Sequence, residues 1–221
     1  MNYKSMILYS VIVLCALSCS GQNESKPKVE DSKDSELKMI YSSQLYGWND
    51  DGSLELKDST ETQGIFIQNS FPKGDRYVHP SGRDYGAAVF WARIVNHTDT
   101  PVEIHISFPA DSFLIPPLPG AFFKLFLPPD IMTVERESMY NYGAEGLRAF
   151  LDSNLYKSTK LDTLLNPGDE HLFYISMVAQ NSSGVLRNGL VLKEEGLFYN
   201  INIIPHYEDV YIPCGNIEIK N

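Results

Sequence analysis

The chain has 221 residues, 43 % hydrophobic and 12 % aromatic, enough for one domain with a real core. Its 18 Lys and Arg against 28 Asp and Glu give a formal net charge of −10, which argues against a nucleic-acid partner and against charge-driven docking on anionic lipid. Two of its three cysteines, Cys15 and Cys19, fall at the amino end, so processing there leaves Cys214 alone and stability must come from packing rather than disulfides.

Lys4 precedes an apolar run over 6–17, shorter than the roughly 20 residues a membrane-spanning helix needs. The run ends in small residues, as an export signal does. Ala16-Leu17-Ser18-Cys19 resembles the lipobox of bacterial lipoprotein signal peptides, with a small residue directly before the cysteine. Leucine stands one position nearer the cysteine than in the usual pattern. The resemblance implies cleavage before Cys19, acylation of that residue, and a lipid bilayer as partner. It implies the outer membrane, at its periplasmic face or at the cell surface. The alternative is a plain secretory signal cleaved nearby. Residues 20–36 carry mixed charges and no aromatics, so they cannot bury enough surface to fold. They read as a tether of roughly 25 Å mean reach. An early acidic stretch serves surface export in Bacteroidota lipoproteins; here Glu30-Asp31 comes late. The organisation expected is a signal at 1–18, lipidated cysteine and tether at 19–38, and one folded domain at 39–221.

In that domain, segments 39–44 and 54–57 predict two short edge strands around a turn at 46–53. Residues 64–69 predict a strand, and 71–86, with Pro72, Gly74, Pro80, Gly82 and Gly86, a loop. Segment 87–95 is apolar on both faces apart from Arg93, which predicts a central strand covered on two sides. Arg93 itself calls for a carboxylate partner or a reach to the surface, with a structural salt bridge as the default. Segment 102–108 alternates apolar and polar residues, the mark of a half-solvated strand, and is expected to pair antiparallel with 87–95. Segments 112–115 and 121–127 are strand-like, separated by the proline-rich 116–120. They suit either core or an exposed ridge, and core is favoured. Leu147, Phe150, Leu151 and Leu155 give the apolar stripe of one helix within 142–155. Asn166-Pro167-Gly168-Asp169 is a turn. Strands are expected at 171–178, 185–193, 197–204, 210–212 and 217–219.

Many short strands and one helix predict an all-β antiparallel sandwich, with a Pro-rich and helical insertion at about 109–160. The turns at 96–101 and 165–169, each set before a strand, are similar to those of immunoglobulin-like domains of bacterial envelope proteins. That likeness implies a module that binds, spaces or scaffolds.

Chemistry is sparse. His79, His97, His105, His171 and His206 show no metal-ligand spacing, and His105 is expected on a polar strand face. Ser70 and Lys73 match Ser-x-x-Lys in letters, but Pro72 and Gly74 spoil the helix that chemistry needs. Glu135/Glu137 and Glu194/Glu195 read as solvated positions or turns. Cys214 reads as a buried, inert thiol. No catalytic residue and no cofactor are expected. The candidate binding residues are the loop aromatics Tyr46, Trp48, Tyr140 and Tyr142, which could stack on a glycan or anchor an envelope protein. The function expected is that of a membrane-anchored, non-enzymatic binding or structural module. The alternatives are a small periplasmic hydrolase with a loop-built site and a metal-binding periplasmic domain.

Overall fold

The computed structural model describes residues 37–49, 54–57, 61–114, 120–181, 184–193, 196–204 and 209–220. The signal segment, Cys19, most of the tether, the turn residues 50–53, the prolines of 116–119, Glu194-Glu195 and His206 lie outside the described residues. The elements run β1 (Ile40–Trp48), β2 (Leu54–Leu56), β3 (Ile65–Ser70), β4 (Lys73–Val78), β5 (Asp84–Asn96), β6 (Val102–Phe108), β7 (Phe113–Leu114) and β8 (Phe122–Phe126). Then come α1 (Leu147–Asn154), β9 (Thr159–Leu165), β10 (Glu170–Gln180), β11 (Val185–Lys193), β12 (Gly196–Ile204) and β13 (Val210–Ile219). Two 3₁₀ turns, Val134–Arg136 and Tyr140–Gly143, precede the helix.

The strands build two antiparallel sheets packed face to face, the sandwich expected. The larger follows the order β2-β1-β3-β5-β10-β8-β7, with β4 also paired to β5; the smaller follows β11-β12-β13-β6-β9. β5 spans thirteen residues because it has two consecutive partners on one side: β4 along its first half and β3 along its second. β10 lines its other side throughout. Its inner residues Phe90, Ala92 and Ile94 meet Ile104, Ile106, Phe108 and Tyr199 of the smaller sheet. Its outer residues Val89 and Trp91 are equally dry. Both faces are thus covered, as an uninterrupted apolar strand requires.

The expected pairing of 87–95 with 102–108 is corrected: β5 and β6 lie in different sheets. Their polar link is an arch from one layer to the other, built around the fully buried Asn96. Its Nδ2 donates to the carbonyls of Thr100 (2.8 Å) and Leu165 (3.0 Å), and its Oδ1 accepts from Thr98 N (3.0 Å). Backbone bonds from Gly168 N to Asn96 O (2.8 Å) and from Asn96 N to Asp169 O (3.0 Å) tie the arch to the 166–169 turn. β6 otherwise behaves as expected, with Val102, Ile104, Ile106 and Phe108 buried and Glu103, His105 and Ser107 facing out.

The loop expected over 71–86 is instead β4 and the start of β5, a hairpin turning at 79–83. β4 is an edge strand in which Tyr77 alone is buried, so it carries no alternating signal. The turn expected over 46–53 begins later, because Tyr46, Gly47 and Trp48 pair with β2 inside β1. β9, not expected, pairs with β6 at the edge of the smaller sheet. The two closing strands are one, β13, whose register shifts where Leu197 faces Gly215 and Phe198 faces Pro213. Pro213 has no N–H to give the ladder, which a shift of this kind tolerates. Gly215 is required there: a Cβ would stand 1.8 Å from the carbonyl oxygen of His105.

A roof from 127–158 covers the outer face of the larger sheet. Met132 and Tyr142 pack on Val89, Trp91 and Tyr174, while Leu151 and Leu155 of the helical stripe pack on Tyr77, Phe126 and Val178. Phe123, Leu125 and Phe126 are buried, so this part of the insertion is core, as favoured. At eight residues α1 would not persist alone and depends on that docking.

Candidate functional site

The roof is held in an unfavourable backbone geometry. Asn141 (φ 46°) and Tyr142 (φ 56°) sit in left-handed conformation ahead of Gly143 (φ 66°). Asparagine tolerates this; for tyrosine it costs about 1–2 kcal/mol. What enforces it is the burial of Tyr142. Its hydroxyl donates to Phe71 O (2.6 Å), its carbonyl accepts from the Tyr174 hydroxyl (2.6 Å), and the Lys73 ammonium lies 4.0 Å from its ring centre. Lys73 also donates to the carbonyls of Glu137 (2.6 Å) and Met139 (2.7 Å). Burial pulls the Lys73 pKa below its ordinary value, against the opposing charge of Glu137. Glu137, expected at a solvated position or a turn, lies in a turn but is buried, and its carboxylate accepts from the backbone N–H of Lys38 (2.7 Å) and Met39 (2.6 Å). It anchors the lead into β1.

Two clefts open at the ends of α1. The first, of about 280 Å³, has Ala87, Val89, Leu147 and Leu151 as floor and Lys73, Asp75, Asn141 and Arg148 at the rim. Tyr140 donates to the Asp75 carboxylate, which with the Arg76 N–H holds Asp75 below the usual carboxylate range. Asn141 Oδ1 is buried there without a partner. The second, of about 380 Å³, is bordered by Arg83, Tyr85, Asp111, Ser112, Phe122, Lys124, Tyr156 and Gln180. Lys124 is only 4 % exposed. Its ammonium donates to the carbonyls of Pro109 (3.4 Å) and Ala110 and stands 5.2 Å from the Phe126 ring centre. Burial lowers its pKa, with Asp111 the nearest opposing influence.

The predicted aromatics are not brought together. Tyr46 is buried between the sheets, and its hydroxyl donates to Gln44. Trp48 borders a third cleft, of about 300 Å³, with Lys57, Gln63 and Thr98. Tyr142 is fully buried in the roof, while Tyr140, at 71 % exposure, bonds Asp75, which lines the first cleft. Sequence reasoning missed Arg83, Tyr85, Lys124 and Tyr156. The available signal was Lys124, a single charge inside the apolar run 121–127.

Cys214 is buried, and burial pushes its thiol up to about 12. Arg93 binds Glu170 through Nε (2.9 Å) and Nη2 (2.6 Å) and Gln68 through Nη1 (2.8 Å), the carboxylate partner expected. Ser70 Oγ accepts from Trp91 N (2.8 Å) and makes no bond to Lys73. Among the described residues no group of three metal-ligating side chains converges.

His105 lies on the outer face of the smaller sheet, 2.9 Å from Asp162 and 3.5 Å from Glu103. Lys160 and Lys220 complete a charged ladder. Among the described residues no hydroxyl or thiol bonds to this imidazole. The Asp162 bond, then the charge of Glu103, raises its pKa above 6.5. The folded state therefore holds that proton more tightly than the unfolded chain. The resulting stabilisation is fully present below about pH 6.5 and fades as pH rises through the raised folded value. His105→Gln is expected to lower the melting temperature at mildly acidic pH and to leave it unchanged at alkaline pH. An equal deficit at both would show that the imidazole acts by packing.

No family model, no curated protein and no solved structure matches this chain.

Proposed function

We propose that this chain is a lipoprotein of the bacterial outer membrane, moored by acylated Cys19, whose immunoglobulin-like sandwich is a binding module for an envelope protein or glycan. The ligand is engaged on the roofed face of the larger sheet, at the margins of α1. The observation that carries this reading is the distribution of exposed apolar side chains. Among the described residues thirteen large hydrophobics are exposed, and six of them, Leu114, Phe122, Ile131, Met139, Tyr140 and Tyr156, come from the single insertion 109–160. Concentration of apolar side chains on one face, beside clefts with polar rims, is the pattern of a recognition surface. The outer face of the smaller sheet carries the charged ladder, with Leu164 and Tyr211 as its exposed large hydrophobics among the described residues.

A photo-crosslinking residue placed at Tyr156 or Ile131 of the full chain in intact cells is expected to yield adducts. One placed at Asn216, on the smaller sheet, is expected to yield none. Adducts from Asn216 alone would overturn the assignment of the face. In the same cells Cys19→Ala is expected to release the chain from the membrane fraction, and retention there would overturn the mooring.

A further inference from the structure

We infer that the cleft beside Lys124 is a site for an acidic saccharide, a glycan bearing a uronate carboxylate. The inference rests on the proposal that the roofed face is the binding surface, and it names the ligand class.

Lys124 carries the argument. A buried ammonium in a folded protein is paired with a carboxylate or its charge is a standing penalty. Lys124 is 4 % exposed, and no carboxylate among the described residues lies within ion-pair distance of its Nζ. Its partners are two carbonyls and the face of a ring, none of which neutralises it. Arg83, a second cation on the same cleft, likewise has no carboxylate partner among the described residues. Asp111 borders the same cleft without forming an ion pair to either cation, so two cations face one carboxylate there, a local excess of positive charge in a chain with 28 carboxylates and 18 Lys and Arg.

The walls say what surrounds the anion. Tyr85, Phe122 and Tyr156 border the same cleft, and Tyr156, 63 % exposed, meets the His79 ring edge-on. Rings of this kind stack on the C–H faces of a sugar. Ser112 and Gln180 at the rim supply hydroxyl partners. A bare phosphate would satisfy the cations and leave the rings wet; a neutral sugar would do the reverse. A volume of about 380 Å³ suits a small ligand, not an extended peptide.

The test is calorimetric titration of the full chain in detergent micelles with trigalacturonate, neutral galactotriose, inorganic phosphate and tetraglutamate. Trigalacturonate is expected to bind, with affinity falling as salt rises. Galactotriose and phosphate are expected to bind about tenfold more weakly or not at all. Arg83→Gln and Lys124→Met are each expected to weaken trigalacturonate by about tenfold or more. Arg83 is exposed, so its variant keeps the fold and isolates the effect from any loss of stability in Lys124→Met. Absence of trigalacturonate binding, or binding unchanged in both variants, overturns the inference. Equal or tighter binding of tetraglutamate with the same dependence on Arg83 overturns the saccharide. Crosslinks at Tyr156 without trigalacturonate binding would overturn this ligand class and leave the binding face standing.

Discussion

Trp91→Ala is expected to destabilise the fold by about 3–5 kcal/mol in denaturant unfolding, the largest single-residue loss on the outer face. The indole is fully buried. It sits where the sheet meets the roof: Tyr174 faces it across β10, and Leu37, Met132 and Tyr142 close over it. Removing it leaves a cavity bounded by a segment already strained at Asn141 and Tyr142. The roof would then lose the packing that offsets its strain, and α1 its platform. Trp91 Nε1 has no hydrogen-bond partner among the described residues, so Trp91→Phe loses area but no such bond and is expected to cost less than half as much. A Trp91→Ala loss below about 1 kcal/mol would mean that the roof does not rest on this residue.

The second large effect is expected at Asn69, at the opposite margin of the sandwich. Asn69 on β3 extends its amide to β11, an edge strand of the other sheet. Nδ2 donates to Leu190 O (3.0 Å), and Oδ1 accepts from Leu190 N (2.7 Å). The amide thereby acts as one residue of a missing strand, satisfying an edge that would otherwise be open and closing the corner between layers. Gly189 makes room for it, since a Cβ there would come within 2.8 Å of Asn69 Cγ. Asn69→Ala leaves both buried groups of Leu190 unpaired and is expected to cost about 2–4 kcal/mol. Gly189→Ala is expected to cost a similar amount by expelling the amide. The double variant is expected to cost little more than either alone, because both remove the same interaction. Full additivity in the unfolding free energies would contradict a shared cause.

How far the sequence could be read depends on what each signal encodes. β5 was legible because its burial on two faces is written in an unbroken apolar run, and β6 because alternation marks one buried face. β11 spans the residues expected, 185–193. Alternation tells which face of a strand is dry but not which sheet the strand joins. β5 and β6 therefore read as a hairpin, although Asn96 turns the link into an arch. β4 and β9 escaped because edge strands expose most of their side chains, leaving Lys-Gly-Asp-Arg and Thr-Lys-Leu-Asp to look like loop. β13 looked like two strands because Pro213 and Gly215 read as breakers, and a register shift absorbs both.

The candidate site was less legible still. Aromatic residues near turns drew attention to Tyr46 and Tyr142, which the fold consumes as core. Nothing in the sequence says which tyrosines face inward when the strand that bears them is short or follows a 3₁₀ turn. Lys124 stands out in the sequence as a single charge in an apolar run, but its burial away from any carboxylate among the described residues is visible only once β8 is placed in the sheet. Arg83, Tyr85 and Tyr156 meet at that opening through the β4–β5 hairpin and the end of α1, a juxtaposition of two segments far apart in sequence.

The central claim is that the outer face of the larger sheet is roofed over Trp91, and that the edges of that roof make the clefts. Trp48 and Trp91 are the only indoles, so Trp48→Phe leaves Trp91 as the sole tryptophan reporter. In that variant the emission is expected to be blue-shifted and insensitive to acrylamide. Emission at the wavelength of a solvated indole, quenched as freely as in the unfolded chain, would contradict the account.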